Sequence, residues 1–196
     1  MMKKILTALL LVTSMMFSGC TLLGMADWIE EAKTDSDPPK ENQENSIADE
    51  VKEEYGTYTV PEGWSEAKEL SQKNLTFYLQ NGTPTDKPTT NISVSEGKNK
   101  YSAADAGSFA QAIDRQLRSQ AGSLDLKSYS GNGTFTEKDY PLITMVVETE
   151  EMTTIQHYIV GDHRYVMVHL SEYNDEAIPN AEEVALSIVN SFEWAD

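Results

Sequence analysis

The segment between residues 142 and 170 constrains the fold most, because it consists of three predicted strands in close succession. Apolar and β-branched residues recur there at short, alternating intervals, which is typical of strands. The predicted strands are Leu142–Val147, Thr153–Val160 and Arg164–Leu170. Gly161 and Asp162 lie between the last two strands, and such a pair favours a two-residue hairpin turn. Successive hairpins predict an antiparallel sheet.

Shorter strand candidates precede this block. They are Thr57–Val60, Leu75–Leu79, Asn91–Ser95, Leu124–Tyr129 and Gly133–Thr136. In Asn91–Ser95 the apolar residues Ile92 and Val94 share one side, as expected for alternating strand residues. The last two candidates are weaker, and we expect Gly131-Asn132-Gly133 to interrupt them.

Two segments have helical spacing. Ser102 and Asp105 predict a capping box for the first helix, and Gly122 predicts its end. Its apolar side consists of Ala106, Phe109, Ala110, Ile113 and Leu117. Asn180 and Glu183 predict the same cap for a second helix. Its apolar side consists of Ala181, Ala185, Ile188, Val189 and Phe192. The expected fold class is α+β, an antiparallel sheet flanked by two main helices in a two-layer or α/β/α arrangement.

The N-terminus predicts a signal peptide. Lys3 and Lys4 precede an uncharged run, Ile5–Phe17, of 13 residues. A membrane-spanning helix needs about 20 apolar residues, whereas this length suits a signal-peptide hydrophobic region. An Ala-x-Ala cleavage site is absent, and the run ends in Ser18-Gly19-Cys20.

This ending resembles the lipobox of bacterial lipoproteins, although Phe17 replaces the usual aliphatic residue. The resemblance implies cleavage between Gly19 and Cys20 and a diacylglyceryl group, with acyl chains such as palmitate, on the Cys20 sulfur. Two acyl chains give lasting membrane attachment, whereas one binds reversibly. Cys20 is the one cysteine of the chain, so no disulfide forms within it. The alternative is an accidental or structural cysteine after an uncleaved anchor.

Residues 20–55 are expected to form an acidic, disordered tether, because their polar, proline-bearing composition offers little surface to bury. Two apolar groups interrupt it. The first group, which lies in the membrane interface or forms a short docked helix, is Leu22, Leu23, Met25, Trp28 and Ile29. The second, Ile47, Val51 and Tyr55, has a spacing of four that predicts a short helix over 46–55. Residues 56–196 have the length of one globular domain.

The charge limits the classes of partner. The chain has 32 acidic and 15 basic residues, and its formal net charge is −17. Nucleic-acid binding requires clustered Lys and Arg, and none occurs, so we expect no nucleic-acid partner. Anionic lipids should also repel the domain, which leaves the lipid on Cys20 to hold it at the membrane.

No motif predicts catalysis, a metal or a cofactor. The strand register implied by a Gly161-Asp162 turn places His157 opposite Val166, and His157 and His169 on opposite sheet faces, which disfavours a shared metal. A three-residue turn would instead place the two histidines on one face. No Gly-x-Ser-x-Gly sequence occurs, and 128–131 is interpreted as a polar turn. Glu148, Glu150 and Glu151 are carboxylates that chance explains in so acidic a chain, and the first two are expected on the solvated strand face. Glu172, Asp175 and Glu176 lack the ordered ligands and the central glycine of a calcium loop. Tyr158 and Tyr165 are expected to be cross-strand neighbours, or else part of an aromatic binding patch.

The domain also resembles the PsbP-like family. Val60-Pro61-Glu62-Gly63-Trp64 looks like that family's "P-x-G-W" opening, and 188–192 looks like its "I-x-x-S-F" ending. The resemblance, over about residues 56–194, implies that Trp64 seats the first hairpin in the core. It implies that Phe192 and Trp194 clamp the last helix to the sheet. It implies no single activity, since such folds serve as photosystem subunits, a Ran-GTPase-binding factor, secretion chaperones and bacterial lipoproteins.

These observations predict a lipid-anchored, outward-facing binding or assembly protein of the cell envelope, with a protein partner and no catalysis. One alternative is an envelope hydrolase whose site is assembled from distant residues. Another is an acidic inhibitor of a cationic protein that attacks the envelope.

Overall fold

The structure, a computed structural model, describes residues 48–85, 88–120, 126–175 and 177–195. These residues all lie within the unit that spans 47–196. Gly19, Cys20 and the group Leu22–Ile29 lie outside the described residues. In the described part of the chain, no helix is both long enough and apolar enough to cross a membrane.

Two antiparallel sheets and two α-helices make up the described chain. The strands are β1 (Asp49–Glu53), β2 (Gly56–Val60), β3 (Trp64–Glu66), β4 (Leu75–Gln80), β5 (Asn91–Lys98), β6 (Ser128–Phe135), β7 (Pro141–Glu148), β8 (Met152–Gly161), β9 (Arg164–Tyr173) and β10 (Glu193–Trp194). The helices are α1 (Ala106–Gln120) and α2 (Ala181–Ser191). A large seven-stranded sheet has the order β3-β4-β5-β9-β8-β7-β6, and a small sheet has the order β1-β2-β10.

The helices cover opposite faces of the large sheet. Phe109 of α1 packs on Tyr158 and Tyr165, at ring-centroid distances of 5.9 and 5.3 Å. The neighbouring residues Ile159 and Val166 point the other way, into the core shared with α2 and the small sheet. The fold class is therefore α+β, an antiparallel sheet flanked by two helices, as the sequence predicted.

The β8–β9 hairpin differs from its prediction by one position on each strand. Gly161 pairs with Arg164, so the turn residues are Asp162 and His163 instead of Gly161 and Asp162. Two contacts with a distant loop hold this turn. The Asp162 carboxylate accepts a bond from the Ala103 N–H at 2.9 Å, and the His163 N–H donates to the Tyr101 carbonyl at 2.8 Å. Gly161 instead serves packing, because an added Cβ would lie 3.0 Å from the Trp194 ring.

The segment 46–55, predicted as a helix within the tether, contains strand β1. Val51 pairs with Tyr58 of β2, and Asp49 pairs with Val60. A spacing of four residues also fits a strand, in which every second residue shares a face. Pairing with β2 therefore decided between the two periodicities, and ordered structure begins before the predicted boundary at residue 56.

The segment 128–135 is one continuous strand, not two strands separated by glycines or a polar turn. Gly131 and Gly133 both take part in the ladder with β7. Gly131 lies close to the Met145 side chain, whose sulfur would have to move to admit an added Cβ. A close approach of packed side chains, and not a break in the strand, explains this glycine.

The predicted apolar faces of both helices turn inward, with Ala106 and Ala110 half-buried and the other predicted residues buried, but the predicted caps differ. The Ser102 hydroxyl donates to the Asp105 carboxylate at 2.9 Å and does not cap a backbone group. Asn180 has a φ of 69° and makes no side-chain cap. A capping side chain requires extended backbone at its residue, so the box with Glu183 does not form. Gly122 lies outside the described residues.

The end of the chain closes the core between α2 and the small sheet. Phe192 is buried, and its ring lies 4.9 Å from that of Trp194 in a T-shaped pair. Arg164 places its guanidinium 4.3 Å from the Trp194 ring centroid. Gly56 has no room for a side chain, since an added Cβ would lie 2.8 Å from the Phe192 ring. Trp64 is buried in the same core, in agreement with its predicted packing role.

Candidate functional site

A groove lies where β1 and β2 of the small sheet meet the β3–β5 side of the large sheet. It consists of a cavity of about 590 Å³ and an adjoining one of about 200 Å³. The larger is lined by Glu53, Glu54, Tyr55, Glu66, Lys68, Ser71, Gln72, Lys73, Asn74, Thr76 and Glu96. The smaller is lined by Asp49, Val51, Glu53, Val60, Trp64, Ser65, Glu66, Thr76 and Tyr78. We call the two together the acidic groove.

Carboxylates dominate the lining of the acidic groove. Those of Glu53 and Glu66 line both cavities, and the other acidic residues of the groove are Asp49, Glu54 and Glu96. The cations are Lys68 and Lys73. Within the described residues, no ion pair joins these carboxylates to a Lys or Arg. The two lysines offset only part of the charge of the five acidic residues, so the groove has a net negative charge.

The tyrosines that line the acidic groove are Tyr55 and Tyr78, and the buried Tyr58 lies next to Tyr78. The Tyr58 and Tyr78 hydroxyls share a buried hydrogen bond of 2.8 Å, and their rings meet edge to face at 6.3 Å. Burial, followed by the charges of Glu66 and Glu53, raises the pKa of Tyr78 to about 12. Burial and the Glu53 charge also raise the pKa of Tyr55. The phenols consequently keep their protons at neutral pH, and the charge of the groove comes from its carboxylates.

The two strand histidines lie apart from the acidic groove. His157 is opposite Val168 instead of the predicted Val166, and His169 is opposite Gln156, so the two side chains point to opposite faces. The His157 Nδ1 lies 2.9 Å from the Thr144 hydroxyl, and its Nε2 has no hydrogen-bond partner among the described residues. Burial lowers the pKa of each histidine to about 4, and His157 also contributes to the effect on His169. Both are neutral at pH 7.

A buried polar band crosses β5, β9 and β8 on the sheet face toward α1. It consists of Asn91, Ser93, His169, Ser171, Thr154 and Gln156, all buried. Cross-strand register aligns Asn91, Ser171 and Thr154 in one row. The Tyr158 hydroxyl donates to Gln156 at 2.6 Å, whereas the Asn91 Oδ1 and the Thr154 hydroxyl have no hydrogen-bond partner within the described part of the chain. The alternation of apolar residues in 91–95 predicted that the side of Ile92 and Val94 is buried. It did not predict that the side of Asn91 and Ser93 is buried as well.

The other candidates from the sequence take structural positions. Glu148 accepts a hydrogen bond from Ser128 at 2.8 Å, and Glu150 pairs with Lys127 at 3.0 Å, both on the surface. The rings of Tyr158 and Tyr165 are 5.7 Å apart, so they are neighbours as predicted, although the shifted register makes them diagonal ones. Both are buried and pack against α1 instead of forming an exposed patch. In the described ranges, no group of three or more His, Cys, Asp or Glu side chains has metal-binding geometry.

The acidic groove was not found from the sequence. Its principal carboxylates, those of Glu53, Glu66 and Glu96, belong to three separate strand regions. In a chain with 32 acidic residues, position along the sequence does not distinguish these from the rest. One weak sign of the groove in the sequence was the spacing of Val51 and Tyr55, which indicated that this stretch packs on the domain.

Seventeen chains of solved structures match this chain. One is cyanobacterial PsbP (CyanoP) from Synechocystis sp. PCC 6803, with 13% sequence identity, a TM-score of 0.44, and coverage of 81% of this chain and 98% of that one. Another, from Bacteroides thetaiotaomicron VPI-5482, has 14% identity and a TM-score of 0.39. That match covers 72% of this chain and 46% of the other, so this chain spans about half its length. No protein-family model and no curated protein matches. The likeness concerns the fold and brings no function to this chain.

Proposed function

We propose that this protein is a lipid-anchored, extracytoplasmic binding protein without catalytic activity, and that its acidic groove binds a cationic segment of an envelope protein. The observation that carries the proposal is the set of groove carboxylates that lack a cationic partner in the described chain. Lysine and arginine side chains are the groups that complement such a surface.

The shape of the groove agrees with an extended polypeptide as ligand. Its two cavities share the lining residues Glu53, Glu66 and Thr76, so they lie side by side. Lys68 and Lys73 line the larger cavity alone. A bound chain would therefore find its most uniformly acidic contacts in the smaller cavity, at Asp49, Glu53 and Glu66.

Binding of a fluorescent lysine-rich decapeptide to the full chain, measured by anisotropy at low salt, tests the groove. The double variant Glu53→Gln/Glu66→Gln should weaken binding about ten-fold, since each rim charge contributes up to about 1 kcal/mol. Glu182→Gln, an exposed carboxylate on α2, is the matched control and should bind as the parent does. Affinity should fall as salt rises. Equal binding by the parent and the double variant would exclude the groove as the site.

The same groove favours the inhibitor alternative as a second candidate, because a cationic envelope-attacking protein offers the same chemistry. The two functions differ in their consequence for the partner. A basic protein recovered on the full chain from an envelope extract should lose its activity if this protein is an inhibitor, and keep it if the role is assembly.

The lipid anchor is tested separately at Cys20. Intact-mass analysis of the protein from membranes should show a chain that begins at Cys20 and carries a diacylglyceryl group. The Cys20→Ser variant should lack this mass. A chain that retains residues 1–19 and a free thiol at Cys20 would contradict the anchor while leaving the groove proposal in place.

A further inference from the structure

Strand β6 forms an open edge of the large sheet. It stands last in the strand order, and only β7 pairs with it among the described residues. None of its eight residues is charged and none is proline. Such residues protect sheet edges from pairing with other chains, and β6 lacks them. The small-sheet edge strand β1, with the sequence DEVKE, is by contrast heavily charged.

Alternate residues of β6 direct their backbone groups away from the sheet. The Thr136 N–H donates to the Tyr140 carbonyl at 2.9 Å, in continuation of the β6–β7 register. Antiparallel ladders alternate between bonded and non-bonded pairs. The even-numbered residues of β6 therefore bond to β7. The N–H and C=O groups of Tyr129, Gly131, Gly133 and Phe135 point outward.

We propose that β6 pairs antiparallel with β6 of a second copy of this chain, about a two-fold axis at Asn132. In such a pair, the outward N–H and C=O groups of one copy bond to those of the other. Odd-numbered residues of one β6 must therefore lie opposite odd-numbered residues of the other. The register centred on Asn132 satisfies this condition, because Gly131 then faces Gly133 of the second copy. The same register places Tyr129 opposite Phe135, and it does so twice because of the symmetry.

The side chains of β6 are complementary in this register. Phe135 is 64% exposed and is the one large hydrophobic residue of the described chain in an exposed position. Helix α1 leaves Phe135 uncovered because it crosses the sheet diagonally. Phe109, near its start, packs on Tyr165 of β9, and Arg118, near its end, lies over Tyr129 at the other end of β6. Pairing would place each Phe135 beside a Tyr129 ring, and aromatic cross-strand pairs stabilise sheets.

The charges that flank the strand are already engaged within one chain. Lys127 pairs with the exposed Glu150 at 3.0 Å, and Glu137, in the turn after β6, bonds to Asn190. Between these ends the uncharged strand brings no carboxylates together, although the chain as a whole has a net charge of −17. Self-pairing is therefore compatible with an acidic protein.

Disulfide trapping tests this register directly. The full chain carries Cys20→Ser, so that one introduced cysteine is the only thiol. At the two-fold axis, Asn132 faces its own copy in a non-hydrogen-bonded pair, with Cα atoms about 4.5 Å apart, which suits a disulfide. Under mild oxidation in detergent, Asn132→Cys should give mostly a covalent dimer on a non-reducing gel.

Ser130→Cys is the matched control, since this residue is exposed, lies on the same strand and points to the same face. Two copies of residue 130 would be about 14 Å apart along the strand, so dimer yield should be at least ten-fold lower. Phe135→Ala should raise the dimer dissociation constant about ten-fold in sedimentation experiments, through loss of two aromatic pairs. Equal cross-linking of the two cysteine variants, or a chain that stays monomeric with Asn132→Cys unlinked, would overturn the proposal. The monomeric, unlinked result is also the one expected if β6 pairs with a different protein.

Discussion

Acid should destabilise this protein through its two buried histidines, and His157→Leu should remove about half of the effect. His157 is 2% exposed, and none of the residues that the structure describes bonds to its Nε2. Burial lowers its pKa from 6.5 to about 4. As the pH falls, the unfolded chain therefore takes up a proton before the folded chain does. Stability is present above about pH 6.5 and is lost as the pH falls toward 4.

The magnitude follows from the two pKa values. Between pH 7.5 and pH 5, one histidine with these values lowers the free energy of unfolding by about 2 kcal/mol. His169, whose pKa is also about 4, should contribute a similar loss. The parent should then lose about 4 kcal/mol over this range and His157→Leu about 2 kcal/mol. At pH 7.5 the variant should stay within about 1 kcal/mol of the parent, because Thr144 is only half-buried and can bond to water.

Urea unfolding at pH 7.5, 6.0 and 5.0, followed by circular dichroism, measures these free energies. His163→Asn is the matched control. His163 is exposed in the β8–β9 turn with a φ of 58°, which Asn tolerates, and its replacement leaves both buried histidines in place. This control should lose as much stability as the parent. If His157→Leu lost stability as steeply as the parent between pH 7.5 and 5, burial of a neutral His157 would not be the cause.

Two further substitutions test the packing by denaturant unfolding. Gly97→Ala should lower the free energy of unfolding by about 1–3 kcal/mol, because the added methyl collides with the Tyr165 ring. Gly107→Ala, whose methyl enters open space on α1, should stabilise the protein slightly. Equal effects of the two substitutions would contradict the contact between residue 97 and Tyr165. Tyr58→Phe should cost about 1–2 kcal/mol by leaving the buried Tyr78 hydroxyl without this bond, and adding Tyr78→Phe should cost less than the sum of the two single changes. Additive costs would show that the two hydroxyls do not interact.

Features that depend on near neighbours in the chain were predictable. The alternating block 142–170 produced β7, β8 and β9, and the helical spacing around Phe109 and Ile188 produced α1 and α2. Burial of one face imposes a period on the sequence, and that period is visible without knowing what covers the face. The leader and Cys20 belong to the same class of local pattern, and they stay predictions because they lie outside the described residues.

Local ambiguity explains the errors. The spacing of Val51 and Tyr55 fits both a helix and a strand, and pairing with β2 made it a strand. Gly161 looked like a turn residue, but contacts of Asp162 and His163 with the loop at 101–103 moved the turn by one position. Gly131 looked like a break, and its packing on Met145 keeps it within β6.

The residues of the chain thus specified where strands and helices form, since backbone preference and hydrophobic period act over a few positions. The arrangement in space was needed to bring Glu53, Glu66 and Glu96 into one groove, to bury Asn91 and His169 on a second sheet face, and to leave β6 at an open edge. Each of these features depends on which distant segments become neighbours, and a charge or hydrogen-bonding group acquires its role from those neighbours.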